Sequence, residues 1–158
     1  MLPLLKRGEV MEIKINLKEN YDVIVVGGGV AGVAAAVSAN RAGKKVLLID
    51  GDLRRPNVHN LLKLDNTVGL SEVVGKFKTF KDAVHTNVLP CLDVLTSGSI
   101  PPNPSELLGS RRMESILKLA AEKFDYIIVD LPPVNVVSDA LAISKYITGM
   151  VVVIREDY

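Results

Sequence analysis

Five short runs of this chain are apolar from end to end: Val23–Val26, Val46–Ile49, Val94–Leu95, Tyr126–Val129 and Met150–Ile154. A strand with one wet face alternates apolar and polar residues, whereas an unbroken apolar run needs cover on both faces, as parallel strands between helices have. Helical patterns separate the runs. Val30–Ala42 is rich in Ala and halts at Gly43, a residue suited to the left-handed position after a helix. Ser110–Phe124 gathers Met113, Ile116, Leu117, Ala120 and Ala121 on one face and sets Arg, Glu and Lys opposite. Ser138–Tyr146 follows the fourth run. Strands alternating with helices predict a three-layer α/β fold, a doubly wound parallel sheet of about five strands. A length of 158 residues suits a single domain with a real core, placed over residues 21–158. Residues 1–20 read as a leader, with an edge strand over Met11–Leu17. Segment 97–105, SGSIPPNPS, reads as a loop because its three prolines remove backbone donors.

Composition narrows the function classes. A net charge of +1 gives no argument for nucleic acid or an anionic membrane as a partner. The single Cys91 excludes an internal disulfide framework and fits a reducing, cytoplasmic compartment; the residue itself reads as a small buried hydrophobe. Val23 to Asn40 is an uncharged stretch long enough to suggest a membrane span, yet Gly27-Gly28-Gly29 stands where a span carries Leu or Ile. Strand, turn and small-residue helix is the better reading, with no insertion into the membrane. Met1–Arg7 holds too short an apolar run for a secretory signal.

In open α/β sheets ligands sit at the carboxyl ends of the strands, and four motifs lie at such ends: Gly27–Gly32, Asp50–Arg55, the 97–105 loop and Asp130–Pro133. Gly27, Gly29 and Gly32 fit G-x-G-x-x-G after a strand and at the opening of a helix, with Asp50 about 20 residues on. The backbone of Gly27, Gly28, Gly29, Val30, Ala31 and Gly32 would hold a phosphate on its N–H groups and on the positive end of the helix. Asp50 would bind a ribose hydroxyl. The alternative is a turn required only for packing. Gly27 and Gly32 can also be laid on G-x-x-x-x-G-K-[ST], but Val33 and Ala34 then replace the cation and the Mg²⁺-binding hydroxyl.

Segment 21–50, YDVIVVGGGVAGVAAAVSANRAGKKVLLID, resembles the N-terminal βαβ unit of FAD-dependent oxidoreductases, which implies FAD as cofactor. Residues 43–158 resemble bacterial capsular-polysaccharide tyrosine kinases of the CpsD/CapB type, with a P-loop NTPase-like fold. The likeness runs in order through GKKVLLIDGDLRRPNVH, GLSEVV, LTSGSIPPNPSELL, FDYIIVDLPPVNVVSDA and GMVVVIRED. It implies Mg²⁺ with ATP or ADP, transfer to protein tyrosine, self-association and a membrane activator protein. By the same likeness Asp50, Asp52 and Asp130 hold Mg²⁺ or activate the tyrosine hydroxyl, and Arg54 faces phosphate or a neighbouring subunit. Strand-end carboxylates can indeed meet Mg²⁺, though Asp there also forms turns and caps. Ser105 reads as the cap of a helix through Glu106–Leu108, with nucleotide binding as the alternative; His59 and His85 read as structural, and Arg111-Arg112 as a helix-surface pair.

The two likenesses overlap at GKKVLLID, and a chimera joined there accounts for both. They disagree about the sheet, since a dinucleotide fold seats the second strand beside the first, whereas the kinase likeness seats Tyr126–Val129 there. The kinase-like share is larger and predicts the latter. Three functions follow: a kinase-type nucleotide-binding domain with weak or absent catalysis, a dinucleotide-binding module, or a scaffold without catalysis.

Overall fold

The structure, a computed structural model, describes residues 23–27, 30–133 and 139–152. The elements run β1 (Val23–Gly27), α1 (Val30–Arg41), β2 (Val46–Asp50), α2 (Val58–Leu62), α3 (Leu70–Val74), α4 (Phe80–Ala83) and β3 (Val84–Leu89). After these come β4 (Leu92–Leu95), α5 (Pro104–Leu108), α6 (Arg111–Ala121), β5 (Tyr126–Leu131), α7 (Asp139–Ser144) and β6 (Gly149–Val151). They form one sheet of order β3-β4-β2-β5-β1-β6, parallel throughout except for the β3–β4 pair. β5 therefore lies between β1 and β2, the order expected from the kinase-like share of the sequence.

Unalternating strands become two cores because successive side chains still point to opposite faces. Val46 and Leu48 of β2 and Ile128 of β5 pack with Ala36 of α1 and Val58 of α2. Leu47, Ile49, Ile127 and Val129 pack on the other face with α3, α6 and α7. The middle layer is thus covered on both sides. α6 buries Met113, Ile116, Leu117 and Ala120, and full burial of a large apolar side chain contributes roughly 1.5–3 kcal/mol. That stripe, more than helix propensity, holds α6 in place. Ser110 starts it, its hydroxyl accepting the Met113 N–H at 3.1 Å, a cap worth about 1 kcal/mol. α1 ends as expected, with Gly43 at φ 77°.

A clasp at the far end of the sheet fixes the β2–β5 alignment. The Lys45 N–H donates to the Asp125 carboxylate at 2.7 Å, and the Lys45 carbonyl accepts the Asp125 N–H at 2.8 Å.

Four expectations change. The five parallel strands are joined by β3, an antiparallel edge strand whose exposed Thr86 and Asn87 hide it from a search for apolar runs. Cys91 is exposed, because it occupies the left-handed position (φ 60°) of the turn after Pro90 that joins β3 to β4. The proline loop stops at Asn103: Pro104 opens α5, where a missing N–H costs nothing. Ser105 consequently lies inside α5 and does not cap it. The edge strand over Met11–Leu17 and the end of the last run, residues 153 and 154, lie outside the described residues.

Candidate functional site

The carboxyl ends of β2, β5 and β1 lie side by side. Asp50 is the register partner of Asp130, and Asp130 in turn partners Val26, with Gly27 opposite Leu131. Adjacent strands run about 4.8 Å apart, so both acids and Gly27 border one crevice. Gly32, third residue of α1, closes it from above. A Cβ on Gly32 would lie 2.7 Å from Asp130 Oδ1 and 2.8 Å from Asp130 Cβ, so only glycine lets the helix approach this carboxylate. Asp50 and Asp130 are both buried.

Asp50 accepts the Val58 N–H at 3.1 Å and the Asp52 N–H at 3.2 Å. Burial nevertheless pushes its carboxyl up to about 6, against the pull of those two donors. Such a carboxylate gains from a cation beside it. Asp52 turns into its own loop, where Oδ1 accepts the N–H groups of Arg54 (3.1 Å) and Arg55 (2.9 Å), the pattern of a turn-forming Asp. Among the described residues no three acidic, His or Cys side chains are grouped closely enough to hold a metal ion. Asp50 and Asp130 alone still suit Mg²⁺, which uses one or two protein carboxylates and leaves its other positions to phosphates and water.

Arg54 points sideways, to α7. Its Nε donates to Asp139 Oδ2 at 2.8 Å and its Nη2 to Asp139 Oδ1 at 3.1 Å, a fork on a fully buried carboxylate. Ser105 also donates to Asp139, and Arg54 Nη2 reaches the Ser105 hydroxyl at 3.2 Å. Burial works against the Asp139 charge, but the hydrogen bonds from Arg54 and Ser105 hold its carboxyl below the ordinary range. One cluster thereby ties the loop after β2 to α5 and α7.

The loop after β4 has its own frame. Glu72 accepts the N–H of Gly69 at 2.8 Å and that of Ser99 at 3.2 Å, and Asn66 accepts the N–H of Gly98 at 2.8 Å. Gly69 sits so close that a Cβ there would be 2.2 Å from Gly98 N and 2.4 Å from the Thr96 carbonyl.

The structure thus unites Gly27, Gly32, Asp50 and Asp130 and sends Asp52 and Arg54 into loop contacts. Val30 and Ala31 open α1 beside them. Gly28 and Gly29 lie outside the described residues. His85 sits elsewhere, its Nε2 paired with the Asp65 carbonyl at 2.9 Å. Asp139, Glu72 and Asn66 were not singled out in the sequence. Glu72 carried a signal, an acid three residues after Gly69 at the start of an apolar helix; Asp139 carried none, because its partner lies 85 positions away.

A parallel-dominated sheet with α1 following β1 and acids at the ends of β2 and β5 defines a single α/β domain of P-loop NTPase-like fold. The septum site-determining protein MinD complexed with Mg-ADP from Pyrococcus horikoshii OT3 shares the fold, with a TM-score of 0.67 over 84% of this chain and 57% of its own, at 23% identity. More specifically, the chain is homologous to bacterial tyrosine-protein kinase domains. It is 47% identical over 119 residues to tyrosine-protein kinase YwqD of Bacillus subtilis (strain 168), covering 75% of this chain and 50% of that one. The kinase domain of Escherichia coli tyrosine kinase ETK superposes with a TM-score of 0.83 and 32% identity, over 89% of this chain and 58% of that one. A cover of that extent exceeds what residues 43–158 alone could supply, so it reaches into the glycine-turn half. The chain spans about half the length of YwqD and of the putative tyrosine-protein kinase CapB of Staphylococcus aureus, and 17% of tyrosine-protein kinase etk of Escherichia coli (strain K12). Residues 22–54 match the FAD dependent oxidoreductase family. Among the described residues no helix is long and apolar enough to cross a membrane.

Proposed function

We propose that this chain is a kinase-type nucleotide-binding domain that retains the acidic, metal-facing side of its site and lacks the cationic, phosphate-facing side. The observation that carries the reading is the seat of β1 beside β5, which sets Gly32 against the Asp130 carboxylate. Phosphate would lie on the backbone N–H groups at the start of α1, since a helix leaves its first four N–H groups without partners inside the helix. Asp50 and Asp130 would hold Mg²⁺, which supplies charge neutralisation at the phosphates when bound. Asp52 shapes the loop carrying Arg54, and Arg54 fixes that loop to Asp139. Phosphoryl transfer to protein tyrosine is then weak or absent, because Val33 and Ala34 offer neither the ammonium nor the hydroxyl that such transfer uses. A role in capsular polysaccharide regulation, self-association, and a membrane activator protein in a cytoplasmic setting belong to the same proposal, by likeness to the kinases.

The match of residues 22–54 to FAD dependent oxidoreductases supports a second reading, a chimeric module taking the ADP part of FAD. Against it stands the Asp130 carboxylate beside Gly32, which repels a pyrophosphate unless a cation intervenes. Titration calorimetry separates the two. The kinase-type reading expects ADP binding that requires Mg²⁺ and weakens about tenfold or more in Asp130→Asn. Saturable FAD binding without metal, unchanged in Asp130→Asn, would establish the second reading instead.

A further inference from the structure

A groove of about 930 Å³ runs between the α3–α4 segment and α6, and shares no residue with the crevice at the strand ends. Its rim is cationic: Lys76, Lys78 and Lys81 stand on one side, Arg112 and Lys123 on the other. All five are exposed, and none forms an ion pair among the described residues. The one acid in the lining, Asp82, is already engaged, accepting the Thr79 N–H at 3.1 Å and the Thr79 hydroxyl at 2.6 Å. A chain with a net charge of +1 has therefore gathered a strongly positive field at one place.

The floor of the groove is apolar. Val73 and Ile116 lie beneath, Leu119 is 40% exposed, and Phe77 is 81% exposed. An aromatic ring so open to water is unusual, and the backbone that carries it is held in place. Lys76 adopts φ 66°, a left-handed conformation that a long side chain rarely takes, and turns the chain toward Phe77. The Phe77 N–H is tied to the Glu72 carbonyl at 2.9 Å, and its ring covers Gly75 so closely that a Cβ there would meet it at 2.8 Å. A ring presented from a fixed backbone costs a partner less ordering than one on a loose loop.

We propose that this groove docks an acidic peptide segment carrying an aromatic or aliphatic anchor, with the anchor against Phe77 and Leu119 and the carboxylates on the lysine rim. A nucleic acid fits less well. Its phosphates could meet the rim, but single strands need successive rings for stacking, and here one ring projects over an apolar floor. Buried anchors supply binding energy and rim charges supply steering and selectivity, which is the division of labour this surface offers.

Fluorescence anisotropy on the full chain tests the proposal, with a fluorescein-labelled acidic nonapeptide containing one Phe and one Leu, its Phe→Ala analogue, and a labelled oligothymidylate of equal length. The peptide should bind saturably, more weakly as salt rises. Phe77→Ser should weaken it about tenfold, as should Phe→Ala in the peptide. Lys78→Glu/Lys81→Glu should weaken it further and flatten the salt dependence, while Asp130→Asn should leave it unchanged. The substituted groove residues are exposed, and circular dichroism would verify that each variant folds. Absence of saturable binding, binding that survives both groove variants, or tighter binding of the oligothymidylate would each overturn the proposal.

Discussion

Gly32→Ala tests the close approach on which the site depends, because two effects of opposite sign compete there. In an unconstrained helix position, replacing Gly by Ala stabilises by about 1 kcal/mol. At Gly32 the new methyl would meet three Asp130 atoms, Oδ1 at 2.7 Å, Cβ at 2.8 Å and Cγ at 2.9 Å. The carboxylate could rotate aside, but Asp130 Cβ is fixed by a central strand, so α1 and β5 must separate. Overpacking of this kind costs about 1–3 kcal/mol. The net expectation is a loss of about 1 kcal/mol, or a fall in Tm of about 2–4 °C for a domain of this size. Urea denaturation followed by circular dichroism would read it as a lower midpoint at constant slope. Displacement of the Asp130 carboxylate should also weaken Mg·ADP binding. A Gly32→Ala variant more stable than the parent by about 1 kcal/mol, the gain of an unconstrained helix position, would refute the contact and with it the shared crevice.

The remaining expectations concern charge and backbone. The Asp50 carboxyl titrates near 6 in the folded chain and near 3.8 when unfolded, so between these values the folded state holds more protons and stability falls as pH rises. The difference between wild type and Asp50→Asn should therefore slope by up to about 1.4 kcal/mol per pH unit between about pH 4 and 6 in urea titrations; a flat difference would show that Asp50 is not desolvated. Val33→Lys with Ala34→Thr should raise Mg·ATP affinity about tenfold in calorimetry, since Val33 is only partly buried and a lysine can extend its ammonium toward the crevice. No gain would count against kinase-like loop geometry. Gly69→Ala should cost more than about 3 kcal/mol or prevent folding, because the added methyl would meet backbone atoms of Thr96 and Gly98 that cannot rotate away. Normal stability would discredit the packing of α3 on the end of β4.

The architecture was legible because it rests on patterns that local sequence displays. Unalternating strands, the Ala-rich α1 and its Gly43 stop, and the stripe of α6 each state their own burial. Even the disputed neighbour of β1 followed from weighing two likenesses. The site was legible only in its strand-end acids. Asp50 and Asp130 stand where a strand meets a turn, and that can be read locally. Asp52 makes contacts local to its own turn, the alternative that any strand-end acid leaves open, whereas Arg54 could not be placed so because its partner lies on α7. Cys91 and β3 failed for a related reason: an antiparallel edge hairpin needs neither an unbroken apolar run nor a buried turn.

The Lys45–Asp125 clasp has a consequence for how such a chain can vary. β2 and β5 leave that point together and reach Asp50 and Asp130 five residues later, a distance of about 17 Å at strand rise. The two acids are paired by counting along rails set at the opposite rim of the sheet, and the Gly51 N–H, donating to the Asp130 carbonyl at 2.8 Å, locks the count at their own rim. A single-residue insertion within either strand would break that ruler, turning every later side chain to the wrong face and parting the acids. Loops beyond Gly51 and Leu131 can lengthen or be exchanged without disturbing it.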